Sequence, residues 1–216
     1  MNYLRAFCLL VVFGLCQDLA AGSLTVLVKD GNGAPVADAV VYATPDAGSL
    51  APAKKRAVID QRDKQFIPFV TAVQVGTSVL FPNQDNIRHH VYSFSPAKKF
   101  ELPLYAGVPA EPVVFDKAGF VTLGCNIHDW MIAYVAVLNT PYFAITGKDG
   151  HAVLKDLPAN HYRVEVWQPL LKGSPDKLGQ EADFGASGAK DLVFVLDLKP
   201  DFRVKRAPGL STGGYR

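Results

Sequence analysis

The sequence has 216 residues, with 22 Lys and Arg against 20 Asp and Glu, which gives a formal net charge of +2. This near balance gives no basis for nucleic-acid binding. The length suits one large domain or two small ones. After the N-terminal segment, no apolar run approaches the roughly 20 residues that a transmembrane helix needs.

The N-terminal segment "MNYLRAFCLLVVFGLCQDLAAGS" has the pattern of a secretory signal peptide. Arg5 precedes a short apolar run over residues 6–16, and small residues follow at 20–22. This order of charge, apolar core and small residues predicts a leader over residues 1–22 that directs export. We expect the exported protein to be periplasmic. A lipoprotein signal centred on Cys16 is the alternative, although Leu15 is large for that motif.

Removal of the leader would leave one cysteine and one methionine in the exported chain. Cys8 and Cys16 lie in the leader, so Cys125 remains, and Met131 is the one methionine besides the initiator. Cys125 then has no partner for an internal disulfide, in a compartment that would permit one. The simplest interpretation is that Cys125 is a small buried residue and that Met131 fills a gap in the core. Their occurrence with a histidine in "GCNIHDWM" favours a metal site instead.

Beyond the leader, the chain reads as an all-β protein. Short runs rich in Val, Phe, Tyr and Thr are separated by Gly, Pro, Asn and Asp, with turn signals at "DGNG" (30–33) and "KDG" (148–150). The predicted strands are "SLTVLVKD", "DAVVYATP", "SVLFPN", "HHVYSFS", "PVVFD", "FVTLGC", "MIAYVAVL", "HAVLKDL", "HYRVEVWQP" and "DLVFVLDL".

Two fragments at the ends of the chain resemble the two halves of one β-sandwich. "LTVLVKDGNGAPVADAVVYA" (24–43) and "FAITGKDGHAVLKDLPANHYRVEVWQP" (143–169) resemble the opening and closing parts of carboxypeptidase-regulatory or transthyretin-like sandwiches. Because an apolar sheet face needs a partner sheet, we expect residues 23–57 and 140–198 to form one domain. A second domain over residues 58–139 would then be inserted in it. Two consecutive domains are the alternative. The basic segment 199–216 is predicted to be a disordered tail.

The central segment carries soft metal ligands. Cys125, His128 and Met131 offer a thiolate, an imidazole and a thioether, a set that suits copper in both oxidation states. A type 1 copper site needs a second histidine, and four other histidines are candidates: His89, His90, His151 and His161. The last two flank turns of the closing fragment and read as surface residues. Adjacent strand residues point to opposite faces, so one of His89 and His90 is expected to reach the metal.

This segment also resembles the cupredoxins, the blue-copper family that includes amicyanin and plastocyanin. The resemblance rests on "QFIPFVTAVQVGTSVLFPNQD", "HHV" and "AGFVTLGCNIHDWMIAYVAV", and the C-x-x-H-x-x-M spacing is similar to the short amicyanin loop. It implies a Greek-key β-sandwich that binds one type 1 copper through His89, Cys125, His128 and Met131. His90 stands where the family usually has Asn and is the alternative to His89. The whole chain resembles bacterial proteins labelled as methylamine-utilisation proteins.

The resemblance implies a periplasmic one-electron carrier and not an enzyme. Its redox partner would dock near His128 and Trp130, and a core aromatic that covers the site is the alternative interpretation of Trp130. Copper handling without redox turnover and a structural surface module are the alternatives. A hydrolase is weakly supported, because the one thiol of the exported chain is already assigned to the metal site, and the histidine pairs of a multicopper oxidase are missing. Four aromatic residues are expected in the sandwich core rather than in an electron relay: Phe81, Phe94, Phe120 and Tyr134.

Overall fold

The computed structural model describes residues 22–48, 50–52, 54–109, 111–184 and 189–201. Nearly all of the predicted leader and most of the predicted tail lie outside these ranges. Within the described residues, no helix has the length and apolar character needed to cross a membrane.

The described chain consists of short strands, which confirms the all-β prediction. The strands are β1 (Gly22–Asp30), β2 (Val40–Pro45), β3 (Arg56–Val58), β4 (Asp60–Arg62), β5 (Gln65–Ile67), β6 (Val70–Gln74), β7 (Thr77–Leu80), β8 (His89–Ser95), β9 (Lys98–Tyr105), β10 (Val113–Phe115), β11 (Gly119–Gly124), β12 (Ile132–Leu138), β13 (Phe143–Ile145), β14 (His151–Leu157), β15 (Asn160–Trp167), β16 (Gln180–Phe184) and β17 (Ala189–Leu196). One turn of 3₁₀-helix at Pro175–Leu178 is the helical element in these ranges.

Strands from the two ends of the chain share two sheets and one core. The sheet orders are β14-β1-β17 and β13-β2-β15-β16, with β1 antiparallel to β14 and parallel to β17. In β1, alternate residues Leu24, Val26 and Val28 are fully buried, as expected for a strand with one covered face. They pack in one cluster with Tyr162 and Phe194 from the later strands. We refer to this unit as the terminal sandwich.

The strands between them form a second core. Here a five-stranded sheet, β6-β12-β11-β8-β9, accompanies the sheet β10-β7-β3 and the hairpin β4-β5. The buried cluster includes Phe81, Phe115, Val121 and Leu123, all at most 1% exposed. We refer to this unit as the central sandwich. Cys125 and Met131 belong to the same cluster, so the sulfur-bearing loop is built onto this core.

A third apolar cluster joins the two sandwiches. It is formed by Val40 of β2, Val70 of β6, and Ala136 and Leu138 of β12, with aromatic side chains around them. The rings of Phe120 and Trp167 stack here, with centroids 4.3 Å apart and planes 6° apart. Strand β12 is therefore covered on both faces, which explains the nearly continuous apolar run "MIAYVAVL".

The prediction that Phe94 lies in the core is wrong, because its side chain is 74% exposed. In β8, Val91 and Ser93 point inward, so Tyr92 and Phe94 point to the outer face. The terminal sandwich covers the outer face of this sheet around Phe120 and leaves Phe94 exposed. Seven strands were not among the predicted ones, namely β3, β4, β5, β6, β9, β13 and β16. The alternate residues of β9 are half-buried and exposed, which weakens its apolar signal.

Candidate metal centre

Three side chains from two distant parts of the sequence converge at one end of the central sandwich. His89 is the first residue of β8, Cys125 directly follows β11, and His128 lies in the loop before β12. The strands β8 and β11 are neighbours in the sheet, with Gly124 paired to Tyr92. This pairing places the start of one strand beside the end of the other, because the strands are antiparallel.

The three side chains are close enough to share one ion. One ligand atom from each of His89, Cys125 and His128 lies within 4.8 Å of the other two. The Sγ atom of Cys125 is 3.9 Å from Nδ1 of His128, and the two imidazole centroids are 5.0 Å apart. In a trigonal site with metal bonds of about 2.0–2.3 Å, donor atoms are about 3.5–4 Å apart. The cluster therefore has the dimensions of a metal site.

The hydrogen bonding of His89 has the pattern expected of a metal-binding histidine. The residue is fully buried, and its Nε2 atom lies 2.7 Å from Oδ2 of Asp85 while its Nδ1 atom has no partner. An ionised carboxylate only accepts, so Nε2 carries the proton and Nδ1 presents a lone pair. Leaving such an acceptor buried without a partner is costly unless something binds it. Ligating histidines usually donate their second nitrogen to a carboxylate or carbonyl in this way.

The surroundings of His128 disfavour its protonation and lower its pKa. Burial lowers its pKa below the ordinary value, and the neighbouring His89 and Lys64 lower the pKa further. A neutral imidazole is the form that coordinates a metal. The residue is half-buried, so it connects the buried cluster with the protein surface. Its ring lies 5.1 Å from the ring of Trp130.

Met131 is placed by a turn of the same loop. Its backbone N–H donates to the carbonyl of His128 at 2.9 Å, and its side chain is 1% exposed. It packs in the same apolar cluster as Cys125. The loop between β11 and β12 thus carries a thiol, an imidazole and a thioether at every third residue, with a short turn between each pair.

His90 lies on the other face of β8, away from this cluster. It is 6% exposed, and its Nε2 atom is 3.0 Å from Oε1 of Glu101 without hydrogen-bond geometry. Its ring lies 5.5 Å from the ring of Tyr92, which also points outward. Strand geometry thus separates the two neighbouring histidines, and the one at 89 joins Cys125 and His128.

Asp85 and Asn83 support the site and were not predicted. The carboxylate of Asp85 accepts from His89 and from the backbone N–H groups of Asp63 (2.7 Å) and Lys64 (2.9 Å). Burial raises the pKa of Asp85, but these three donors outweigh burial, and the net shift is downward.

The amide of Asn83 donates to carbonyls of Ile87 and Tyr105. The available sequence signal was the polar turn "NQD" shortly before His89.

Gly124 allows Tyr92 to pack against the backbone beside Cys125. A Cβ atom at position 124 would lie 2.8 Å from Cζ of Tyr92 and 2.9 Å from its hydroxyl. Any side chain there would displace the ring. The glycine directly before Cys125 therefore leaves room for the Tyr92 ring.

His151 and His161 lie outside the cluster. His151 is exposed at the start of β14. His161, in β15, is surrounded by carboxylates: Nδ1 binds Asp183, and Nε2 lies 3.2 Å from Glu181 and 3.7 Å from Asp46. These contacts assign His161 to surface ion pairs of the terminal sandwich.

The ion pairs of His161 predict a pH-dependent stability. The hydrogen bond to Asp183 raises the pKa of His161, and the same bond lowers the pKa of Asp183. The contribution of His161 is complete below its unfolded pKa of about 6.5 and is lost as pH rises through the higher folded value. We expect His161→Asn to lower the urea midpoint more at about pH 6 than at about pH 9. The matched control is His151→Asn, and an equal effect at both pH values would contradict the prediction.

Comparison with known proteins gives matches to solved structures alone. No family model and no curated protein matches the chain. A purple cupredoxin from Nitrosopumilus maritimus is 23% identical, with 38% of this chain and 99% of that chain covered and a TM-score of 0.34. A reduced Cu(I) form of an amicyanin variant is 23% identical, with coverages of 45% and 99% and a TM-score of 0.35. A Cu-containing nitrite reductase from Thermus scotoductus SA-01 is 22% identical, with coverages of 54% and 28% and a TM-score of 0.37.

Proposed function

We propose that this chain is an exported type 1 copper protein that carries one electron at a time. Copper would be held by His89, Cys125 and His128, with Met131 as a weak axial contact. The observation that carries the proposal is the buried, unpartnered Nδ1 of His89, which belongs to a cluster with the cysteine sulfur and the second imidazole. Two imidazoles, one thiolate and a distant thioether form the donor set of blue-copper electron-transfer sites.

The residues around the cluster suit this function. Bound copper would supply the one-electron redox couple, and the protein would limit the movement of the ligands between the two oxidation states. Cys125 is 3% exposed and His89 is fully buried, so water has little access to these ligands. The hydrogen bond that Nε2–H of His89 donates to Asp85 fixes the ring of His89. His128 is the half-buried ligand, and we propose that the redox partner docks there and at Trp130.

The domain assignment and the compartment belong to the same proposal. Residues 58–139 would form the copper-binding domain, inserted between residues 23–57 and 140–198. Support comes from the separate apolar clusters of the two sandwiches and from the pairing of β1 with β14 and β17. The leader over residues 1–22 would direct the protein to the periplasm.

A copper titration tests the proposal. We expect the purified protein to bind one copper(II) per chain, with an intense blue colour that disappears on reduction by ascorbate and returns on oxidation. A colourless copper adduct would instead indicate copper handling without a type 1 site. Absence of binding would contradict any copper function.

Met131→Leu tests the axial position. Leucine has nearly the same volume as methionine, so the buried side chain is replaced with little strain. We expect copper to remain bound with its blue colour, and the reduction potential to rise, because an axial thioether stabilises copper(II) more than an aliphatic group does. Cyclic voltammetry gives the potential. Loss of copper binding would show that Met131 has a different role.

A further inference from the structure

A hairpin tip contacts both loops that carry the proposed copper ligands. The turn between β4 and β5 consists of Asp63 and Lys64, with φ angles of 53° and 56°. Neither residue is glycine, although this left-handed conformation is uncommon for residues with a side chain. Such a turn persists when its surroundings hold it in place.

The first loop holds the backbone N–H groups of the tip. Asp85 accepts from the N–H of Asp63 through Oδ1 and from the N–H of Lys64 through Oδ2. The same Oδ2 lies 2.7 Å from Nε2 of His89. One carboxylate therefore links the hairpin backbone to the imidazole of His89.

The second loop holds a carbonyl of the tip. The indole Nε1–H of Trp130 donates to the backbone carbonyl of Lys64 at 3.1 Å. The Trp130 ring lies 5.1 Å from the ring of His128, which in turn lies 5.0 Å from the ring of His89. Together these interactions form a closed ring of contacts. It runs from the imidazole of His89 through Asp85, the hairpin tip and Trp130 to the imidazole of His128, which lies beside that of His89.

We infer that the hairpin tip 63–64 is a positioning element that fixes the imidazoles of His89 and His128 relative to each other. The inference rests on the proposed copper function and adds a role for residues that touch no ligand atom. All of its contacts are made between protein groups, so none of them requires a metal. The tip thereby holds the ligands near their bound positions, which lowers the ordering cost of metal binding. Asp85 and Trp130 are positioning residues in this arrangement.

Trp130→Phe tests the inference, because it keeps an aromatic ring beside His128 and removes the N–H donor to Lys64. We expect the copper affinity to fall about threefold to tenfold, the effect of one neutral hydrogen bond. We also expect the visible spectrum of the copper protein to change. Asp85→Asn should lower the affinity by about 10- to 100-fold, as outer partners of ligating histidines do. Competition with a chelator gives the affinities.

The second tryptophan provides the matched control. Trp167 stacks on Phe120 between the two sandwiches, so Trp167→Phe makes the same chemical change away from the site. We expect it to lower the unfolding free energy without changing the copper affinity or spectrum. If Trp130→Phe binds copper as tightly as the wild type and with the same spectrum, the inference is overturned.

Hydrogen exchange of the wild-type protein gives a measurement that needs neither a variant nor a metal. We expect the amides of Asp63 and Lys64 to exchange at least about tenfold more slowly than free peptide amides in metal-free protein, because Asp85 accepts from both. Unprotected amides at the tip would overturn the inference even if the protein proves to bind copper. Protected amides in a protein that fails to bind copper would contradict the proposed function and leave the closed ring of contacts standing.

Discussion

Cys125→Ser is expected to abolish the blue colour of the copper protein and to lower its copper(II) affinity by more than about a hundredfold. Mutation of a residue that only hydrogen-bonds to a metal ligand lowers metal affinity by about 10- to 100-fold. Loss of the thiolate ligand itself should lower the affinity further. The hydroxyl of serine is a poor replacement, because copper sites of this type depend on a covalent bond to sulfur. Absorption spectroscopy and chelator competition measure the two effects.

Two neighbouring histidines provide the comparison for this experiment. His89→Gln should also lose the blue site, whereas His90→Gln should keep it, because His90 points to the opposite face towards Glu101. Urea unfolding of the metal-free variants separates loss of a ligand from loss of the fold. A blue Cys125→Ser protein would end the type 1 assignment, and a colourless His90→Gln protein would transfer the ligand role to His90.

Replacing one core phenylalanine is expected to lower the unfolding free energy strongly in either sandwich. Only the replacement in the central sandwich is expected to lower the copper affinity. Phe115 is fully buried in the central sandwich, and Phe194 is 2% exposed in the terminal sandwich. Truncation of a buried phenylalanine to alanine typically costs about 3–5 kcal/mol, through lost burial and the cavity left behind. We expect Phe115→Ala also to weaken copper binding, because Cys125 and Met131 pack in the same cluster as Phe115.

Phe194→Ala provides the matched control, since it changes the same side chain in the other core. Its copper affinity should equal that of the wild type when measured in the folded protein. Urea unfolding gives the free energies, and Phe115→Leu provides a milder change if Phe115→Ala does not fold. Equal losses of copper affinity in both alanine variants would contradict the proposed division into two domains.

The fold class and part of the candidate site follow from local patterns in the sequence. Alternating apolar residues and glycine-rich turns predict strands such as β1, where burial alternates residue by residue. The loop "GCNIHDWM" places Cys125, His128 and Met131 together by covalent connection alone. These features depend on neighbours along the chain, so one sequence is enough to predict them.

Other features depend on which strands become neighbours. The alternation of β8 predicts that His89 and His90 face opposite ways, but the pairing with β11 decides that His89 joins the sulfur. The apolar strand around Phe94 predicts a core position for it. Its side chain is exposed instead, because the terminal sandwich covers only part of the outer face of the sheet. Asp85 meets the 63–64 turn across about 20 residues of sequence, a contact that no local pattern contains.

The amino-acid sequence by itself determined the β-rich character of this protein, its turns, and the soft donors in one short loop, because each is a property of residues close together along the chain. Tertiary structure brings the imidazole of His89 to that loop, and it alone decided which carboxylate orients this imidazole and how the 63–64 tip joins both ligand loops. Those relations arise when distant strands pair and bury their apolar faces against each other, since burial of the whole core selects one register and one packing arrangement.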